Sequence, residues 1–314
     1  MTATIRHALL ATLPHQARAV VRVTGDDATR FLQGLLSADV GELTPGRATA
    51  ATLLTVKGKI ISEVVVLAVA EDEPWLLLPA EIAPVVTAKL DAHIIMDDVE
   101  LEPLADHQCA IAWTDSGALT PEQLGPLPAG VRAFAGSHPL PGVLVVGPTP
   151  GLATLENLGE AANADQFTAA RVTHGRPAWG FEIAADRFPP EVGFVDAVSY
   201  DKGCFLGQEP LSRIHNRGKV NRVMVRVKLS ALPESGLPIG LQVEGADPAA
   251  EIGQLTSHTQ ALEGLAIVRR AHAKPGTQLR AGALSVTVQS PPLGDDPGRA
   301  GRQQAATVTL GGRR

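Results

Sequence analysis

The chain has 314 residues and a formal charge of -6 at pH 7, with 45% hydrophobic and 19% charged residues. That is an ordinary balance for a soluble globular protein with room for two or three domains. Aromatic side chains make up only 4% of it, too few for the stacking platform on which single-stranded bases are read. Its two cysteines, Cys109 and Cys204, supply neither a disulfide framework nor a zinc site. The longest apolar run, residues 64–70, is too short to span a bilayer. No signal-peptide pattern follows Arg6 and His7, so the expectation is a cytoplasmic protein with reduced thiols.

The alternation over residues 18–23 predicts a strand. Thr24-Gly25-Asp26 closes it, with Asp26 as N-cap of a helix whose apolar face is Phe31, Leu32, Leu35 and Leu36. After a Pro45-Gly46 turn, residues 49–55 and 60–70 read as strands joined by a Lys57-Gly58-Lys59 hairpin turn. Residues 75–78 make a further strand and 81–93 a short helix, with Pro84 tolerated in its first turn. This order predicts an α+β layer with helices on one face of an antiparallel sheet. Cys109 belongs to an apolar run, residues 109–113, expected in the core. Residues 114–150, rich in Pro and Gly, read as surface loops apart from 142–147. Asn163 caps a helix through Phe167 and Val172 that Gly175 ends. Residues 222–229, 241–244, 265–270, 285–289 and 306–310 are short strand-like segments between Gly and Pro turns. Their spacing predicts a C-terminal all-β barrel or sandwich of ~90 residues.

The chemistry concentrates in Asp201-Lys202-Gly203-Cys204-Phe205-Leu206-Gly207-Gln208-Glu209 and the run behind it. Between residues 202 and 228 stand Lys202, Arg213, Arg217, Lys219, Arg222, Arg226 and Lys228, with Glu209 as the one acid. A basic island on an acidic chain favours an anionic ligand over a general attraction to nucleic acid. Lys202 and its basic neighbours would favour the thiolate of Cys204, whereas a free cysteine beside a glycine turn is otherwise a small apolar core residue. Gly203 and Gly207 are expected at tight backbone, where a ligand or a strand comes close. His174 and His215 flank the stretch and are weighed towards surface or packing roles.

Three motifs carry a resemblance: Arg171-Val-Thr-His-Gly-Arg-Pro177, Phe188-Pro-Pro-Glu-Val-Gly193 and Lys202-Gly-Cys-Phe-Leu-Gly-Gln-Glu209. Together with residues 25–32, 37–40 and the Gly-x-x-Thr-Ser within 251–257, they resemble the YgfZ family of folate-binding proteins. That family is related to the aminomethyltransferase (T-protein) of the glycine cleavage system. The resemblance implies a three-lobed T-protein-like ring: two interleaved ferredoxin-like α+β lobes in residues 1–220, then an antiparallel β-barrel in 221–314. It implies tetrahydrofolate in a central channel, with Cys204 as the functional thiol. Gln208 and Glu209 would meet the pterin edge, and Lys202, Arg213 and Arg222 the acidic tail, Arg offering a bidentate fork. Gly203, Gly207 and Ser62 complete the implied folate-binding set.

Two departures stand out. Ser62 and Glu63 occupy the positions of paired aspartates in the aminomethyltransferases, and Thr173 replaces a glutamate that meets the pterin in many relatives. The function implied is a folate-binding accessory protein for iron–sulfur enzymes, with those enzymes as partners. The first alternative is a folate-dependent aminomethyltransferase or demethylase using Glu63 as acid/base. The other is an RNA-binding module linked to tRNA modification, which the overall charge and few aromatics disfavour.

Overall fold

The structure is a computed structural model that describes residues 4–294 apart from 71, 118, 153–158, 218, 219, 235 and 246–249. The predicted strand at 306–310 and Lys219 lie outside the described residues. In chain order, the first elements are β1 (Arg6–Leu9), β2 (Arg18–Thr24), α1 (Ala28–Leu35), β3 (Ala48–Leu54), β4 (Ile60–Ala70), β5 (Glu73–Pro79) and α2 (Ala83–Asp91). Next come β6 (Glu100–Pro103), β7 (His107–Trp113), β8 (Arg132–Gly136), β9 (Gly142–Pro148), α3 (Thr149–Leu152), β10 (Glu160–Ala161), α4 (Ala164–His174) and α5 (Gln208–Arg217). The last six strands are β11 (Arg222–Leu229), β12 (Ile239–Val243), β13 (Gly253–His258), β14 (Glu263–Arg269), β15 (Gln278–Ala281) and β16 (Leu284–Val288).

One five-stranded sheet has the order β3-β4-β5-β2-β6 and the other β10-β1-β7-β9-β8. The two are interleaved: the chain starts in the second sheet, builds the first, and returns. Strand alternation explains how they pack. On the first sheet Val21, Val23, Val64, Val66, Leu76 and Leu78 face α1 and α2, so the helices lie on one face as expected. The intervening Val20, Val65, Leu67, Trp75 and Leu77 face Ile111, Trp113, Phe134, Leu144 and Val146 of the second sheet. Cys109 lies in that same core, 2% exposed. The six C-terminal strands close into a barrel, β11-β14-β13-β12-β15-β16, filled by side chains such as Val225, Leu241, Leu255, Leu279 and Val286.

Several expectations change. The N-cap of α1 is Asp27, not Asp26; Asp27 accepts from the Asp98 backbone N–H at 3.0 Å, so its carboxylate ties two loops instead of capping the helix. The stretch 114–150 contains the edge strand β8, whose one neighbour in its sheet is β9 and which makes a single bridge to Arg47. Phe134 is the one β8 side chain that is buried, so the sequence shows no alternation there. Residues 208–217, to which the sequence reading assigns no element, form a helix: Leu211 and Ile214 share a face, and Pro210 falls in the first turn, where its missing N–H costs nothing. Among the described residues no helix is long and apolar enough to cross a membrane.

Candidate functional site around Cys204

Residues 199–208 are sutured to the end of α1. The Ser199 N–H donates to Ser37 O at 2.9 Å and the Leu206 N–H to Gly34 O at 3.0 Å; Ser37 Oγ donates to Ala197 O at 2.5 Å. Phe205 and Leu211 enter a core shared with Leu54, Ile60, Trp179, Phe194 and the barrel's Ile267, where first sheet, connecting segment and barrel meet. Gly207 has φ +80, and a Cβ there would lie 2.5 Å from Thr55 O and 2.9 Å from Leu54 Cβ. It rests on Gly58 of the β3–β4 turn, whose φ is +72, so the expected close approach at Gly207 is to a neighbouring hairpin. Gly203 is different: a Cβ there would meet nothing within 4 Å and its φ is not positive. The tight backbone expected at Gly203 is therefore absent.

Side chains along this loop sort by burial. Lys202 and Phe205 point inward, while Asp201, Gly203 and Cys204 are exposed. Cys204 is a free, exposed thiol; burial pushes the Cys109 thiol up to about 12. Lys202 donates from Nζ to Leu36 O at 2.8 Å and Ala38 O at 2.6 Å. Its ammonium, expected to meet a ligand's acidic tail, is thus turned to two backbone carbonyls of the segment directly after α1.

The other implied folate contacts divide in the same way. Arg213 and Arg222 are exposed and, among the described residues, have no acidic partner within 4 Å. Half-buried Arg187 lies close enough to Arg222 that burial first, and then that second guanidinium, lower its pKa; its Nη2 donates to Gln254 Oε1 at 3.1 Å. Lys59 sits 3.6 Å above the Phe188 ring centroid and 3.9 Å from Glu191. Gln208 and Glu209 open α5 (Glu209 exposed, Gln208 partly buried). Arg226 instead closes the end of α4, donating from Nε to Val172 O at 2.9 Å and from Nη2 to Thr173 O at 2.6 Å. Lys228 likewise donates to Ala261 O at 2.8 Å.

Ser62 is fully buried and donates to Glu63 O at 2.6 Å, which removes it from a ligand-binding set. Glu63 points to the opposite face of β4, as strand alternation requires. Its Oε1 accepts from Arg18 Nη2 and its Oε2 pairs with His138 Nε2 at 3.0 Å, all three side chains being buried between the sheets. Burial raises the Glu63 pKa, but Arg18 and His138 outweigh it and hold the carboxyl below its usual range. A carboxylate so enclosed has no oxygen free to act as acid/base on a substrate. Thr173 is exposed and lines a surface cleft of about 400 Å³ with Arg6, Trp113, Asp115 and His174. His215 stacks on Tyr200 at 3.9 Å.

Sequence reasoning missed Glu182. Its Oε2 accepts from Arg171 Nη1 at 2.9 Å and from the Ala178 N–H at 3.2 Å. Its Oε1 accepts from Thr256 Oγ1 at 2.8 Å and Ser257 Oγ at 2.6 Å, and Arg171 Nη2 donates to Ser257 Oγ at 2.9 Å. The Thr-Ser pair of the barrel motif therefore locks the barrel onto α4 through one buried carboxylate. The motif itself was the available signal, since two adjacent hydroxyls on a buried strand need acceptors. Among the described residues no group of three or more His, Cys, Asp or Glu could hold a metal ion.

Residues 13–114 match the model of the GCVT N-terminal domain. Two fungal proteins described as iron–sulfur cluster assembly factor IBA57 homolog, mitochondrial, are similar. The one from Yarrowia lipolytica is 23% identical, over 70% of this chain and 57% of its own. The one from Mycosarcoma maydis is 26% identical, over 76% of this chain and 61% of its own. The chain thus spans about three fifths of the length of these two relatives. The tRNA-modifying protein YgfZ of Escherichia coli is 24% identical over 72% of this chain and 74% of its own. Among solved structures, the glycine cleavage system aminomethyltransferase T from Bartonella henselae superposes with a TM-score of 0.73, covering 92% of this chain and 86% of that one at 17% identity. The fold, two interleaved lobes and a closed barrel, is therefore that of the aminomethyltransferases.

Proposed function

We propose that this chain, a homologue of the IBA57 and YgfZ proteins carrying a GCVT N-terminal domain, is a tetrahydrofolate-binding accessory protein. In this reading it assists iron–sulfur cluster assembly or repair in client enzymes, with Cys204 as its working thiol. The observation that carries the proposal is the presentation of that thiol. Lys202 and Phe205 of the loop are buried and Ser199 and Leu206 are hydrogen-bonded to the segment around the end of α1, while Cys204 is exposed. An ordinary packing cysteine in this chain looks like Cys109, buried and hard to ionise. Two cysteines cannot supply the four thiolates of a common cluster, so the chain acts on clusters held by clients.

The donor set fits folate at its acidic end. The guanidinium of exposed Arg222 disfavours the charge on half-buried Arg187, and a ligand carboxylate between the two would relieve it, with Arg213 as a further cation. Bound tetrahydrofolate would supply one-carbon or pterin redox chemistry; the protein's share is to hold it and to present the thiol.

The test is thermal unfolding with and without tetrahydrofolate, on the wild type and on Cys204→Ala. At a hundredfold excess over the dissociation constant, binding stabilises the folded state by about 2.7 kcal/mol. Stabilisation of both proteins, lost in Arg222→Ala, is the expected result. No shift in the wild type removes folate from the reading, and full rescue of an iron–sulfur client by Cys204→Ala removes the thiol.

A further inference from the structure

We infer that Lys202 is the positioning residue of the thiol loop: its ammonium latches residues 199–207 onto the end of α1, so that one buried amine sets how Cys204 is presented. This rests on reading Cys204 as the working thiol. Lys202 is 8% exposed although its neighbours Asp201, Gly203 and Cys204 are exposed, so the chain turns this side chain inward at a point where little else is buried. Both oxygens that receive it, Leu36 O at 2.8 Å and Ala38 O at 2.6 Å, belong to the extended segment directly after α1, of which Leu36 is the C-cap. The Phe205 ring lies below it, with its centroid 5.2 Å from Nζ, a cation–π contact with the loop's own anchor.

The charged group that faces the amine from the α1 end is Asp39, whose carboxylate accepts from Gln33 Nε2 at 2.9 Å. Asp201 and Cys204 on its own loop, Lys57 on the β3–β4 turn and Glu209 on α5 are exposed. The seat is therefore built from carbonyl dipoles and a ring, with no ion pair within 4 Å among the described residues. Such a seat holds an ammonium well and a neutral amine poorly. Burial lowers the pKa of this amine to about 8, which places loss of the charge within an accessible range.

A trifluoromethyl probe attached to Cys204 tests this, because Cys109 is 2% exposed and escapes labelling. As pH rises from neutral to about 11, past both the lowered and the ordinary lysine value, the wild-type fluorine signal should shift and narrow as the amine loses its charge, with the transition centred below the ordinary value. Lys202→Met should show the narrow, high-pH signal throughout. Lys202→Arg, which stays charged, should keep the low-pH signal throughout. A flat wild-type titration overturns the latch, as does a folded Lys202→Met protein that retains the transition. Should Lys202→Met fail to fold, the wild-type and Lys202→Arg titrations decide alone. A titration as expected, with full client rescue by Cys204→Ser, leaves the latch standing and refutes the functional reading of the thiol.

Discussion

Glu63 and Glu182 are both fully buried carboxylates, each paired with a buried arginine, yet they hold different joints and are built differently. Glu63 sits between the two sheets and shares its charge between Arg18 and His138, a group that titrates. Glu182 sits between α4 and the barrel and is enclosed by Arg171, two hydroxyls and a backbone N–H, none of which changes charge near neutrality. The lesson concerns where motif residues go. Arg171, Thr256 and Ser257, which carry the resemblance, hold the lobes together, and so does the carboxylate considered as a catalytic base. Outside these joints lie a short loop with an exposed thiol and two exposed arginines, Arg213 and Arg222, that have no acidic partner among the described residues.

The largest expected effect breaks the Glu182 joint. Glu182→Ala leaves Arg171 buried and uncompensated, which costs about 3–5 kcal/mol, and chemical denaturation should show the midpoint falling accordingly. Thiol reactivity sharpens the contrast between core and loop. Cys109 is buried with its thiol pushed up to about 12, whereas Cys204 is exposed, so alkylation of the native protein should modify Cys204 well before Cys109, as read by mass spectrometry. Equal labelling would mean that the sheet-to-sheet core opens readily.

Two glycines offer a smaller test. Gly207→Ala forces a Cβ against Thr55 O at positive φ and should destabilise by about 1–3 kcal/mol. Gly203→Ala, in open space, should stay within about 0.5 kcal/mol of wild type.

The smallest effect separates the two joints by pH. Burial lowers the His138 pKa below its usual 6.5, more than Glu63 raises it. An unfolded His138 therefore binds protons that the folded one refuses, and stability present above pH 6.5 is lost as pH falls below it. Glu63, also lowered from its usual 4.5, adds a further loss at lower pH, in the same direction. Melting temperature should decline gradually from neutral pH towards pH 5, and His138→Gln should flatten the upper part of that decline. An unchanged slope in His138→Gln would place the acid sensitivity elsewhere.

Much of the local structure was legible because local rules decide it. The β3–β4 hairpin follows from alternation and Lys57-Gly58-Lys59, α4 from Asn163 and Gly175, whose φ is +63, and β11 from its β-branched run. Short edge elements such as β8 and β10 were not legible, since a strand with one buried side chain or two residues leaves no period to read. The loop 202–209 and its thiol were legible as composition, and their kinship as a motif. What only the tertiary structure decided is which of the polar residues remain available. Lys202, Glu63 and Arg226 have the right chemistry for a ligand, but each finds a partner far away in the chain, while buried Ser62 turns to the backbone of its neighbour Glu63. Burial requires such groups to be satisfied, and the partner that satisfies them is set by packing between elements, which no local pattern encodes.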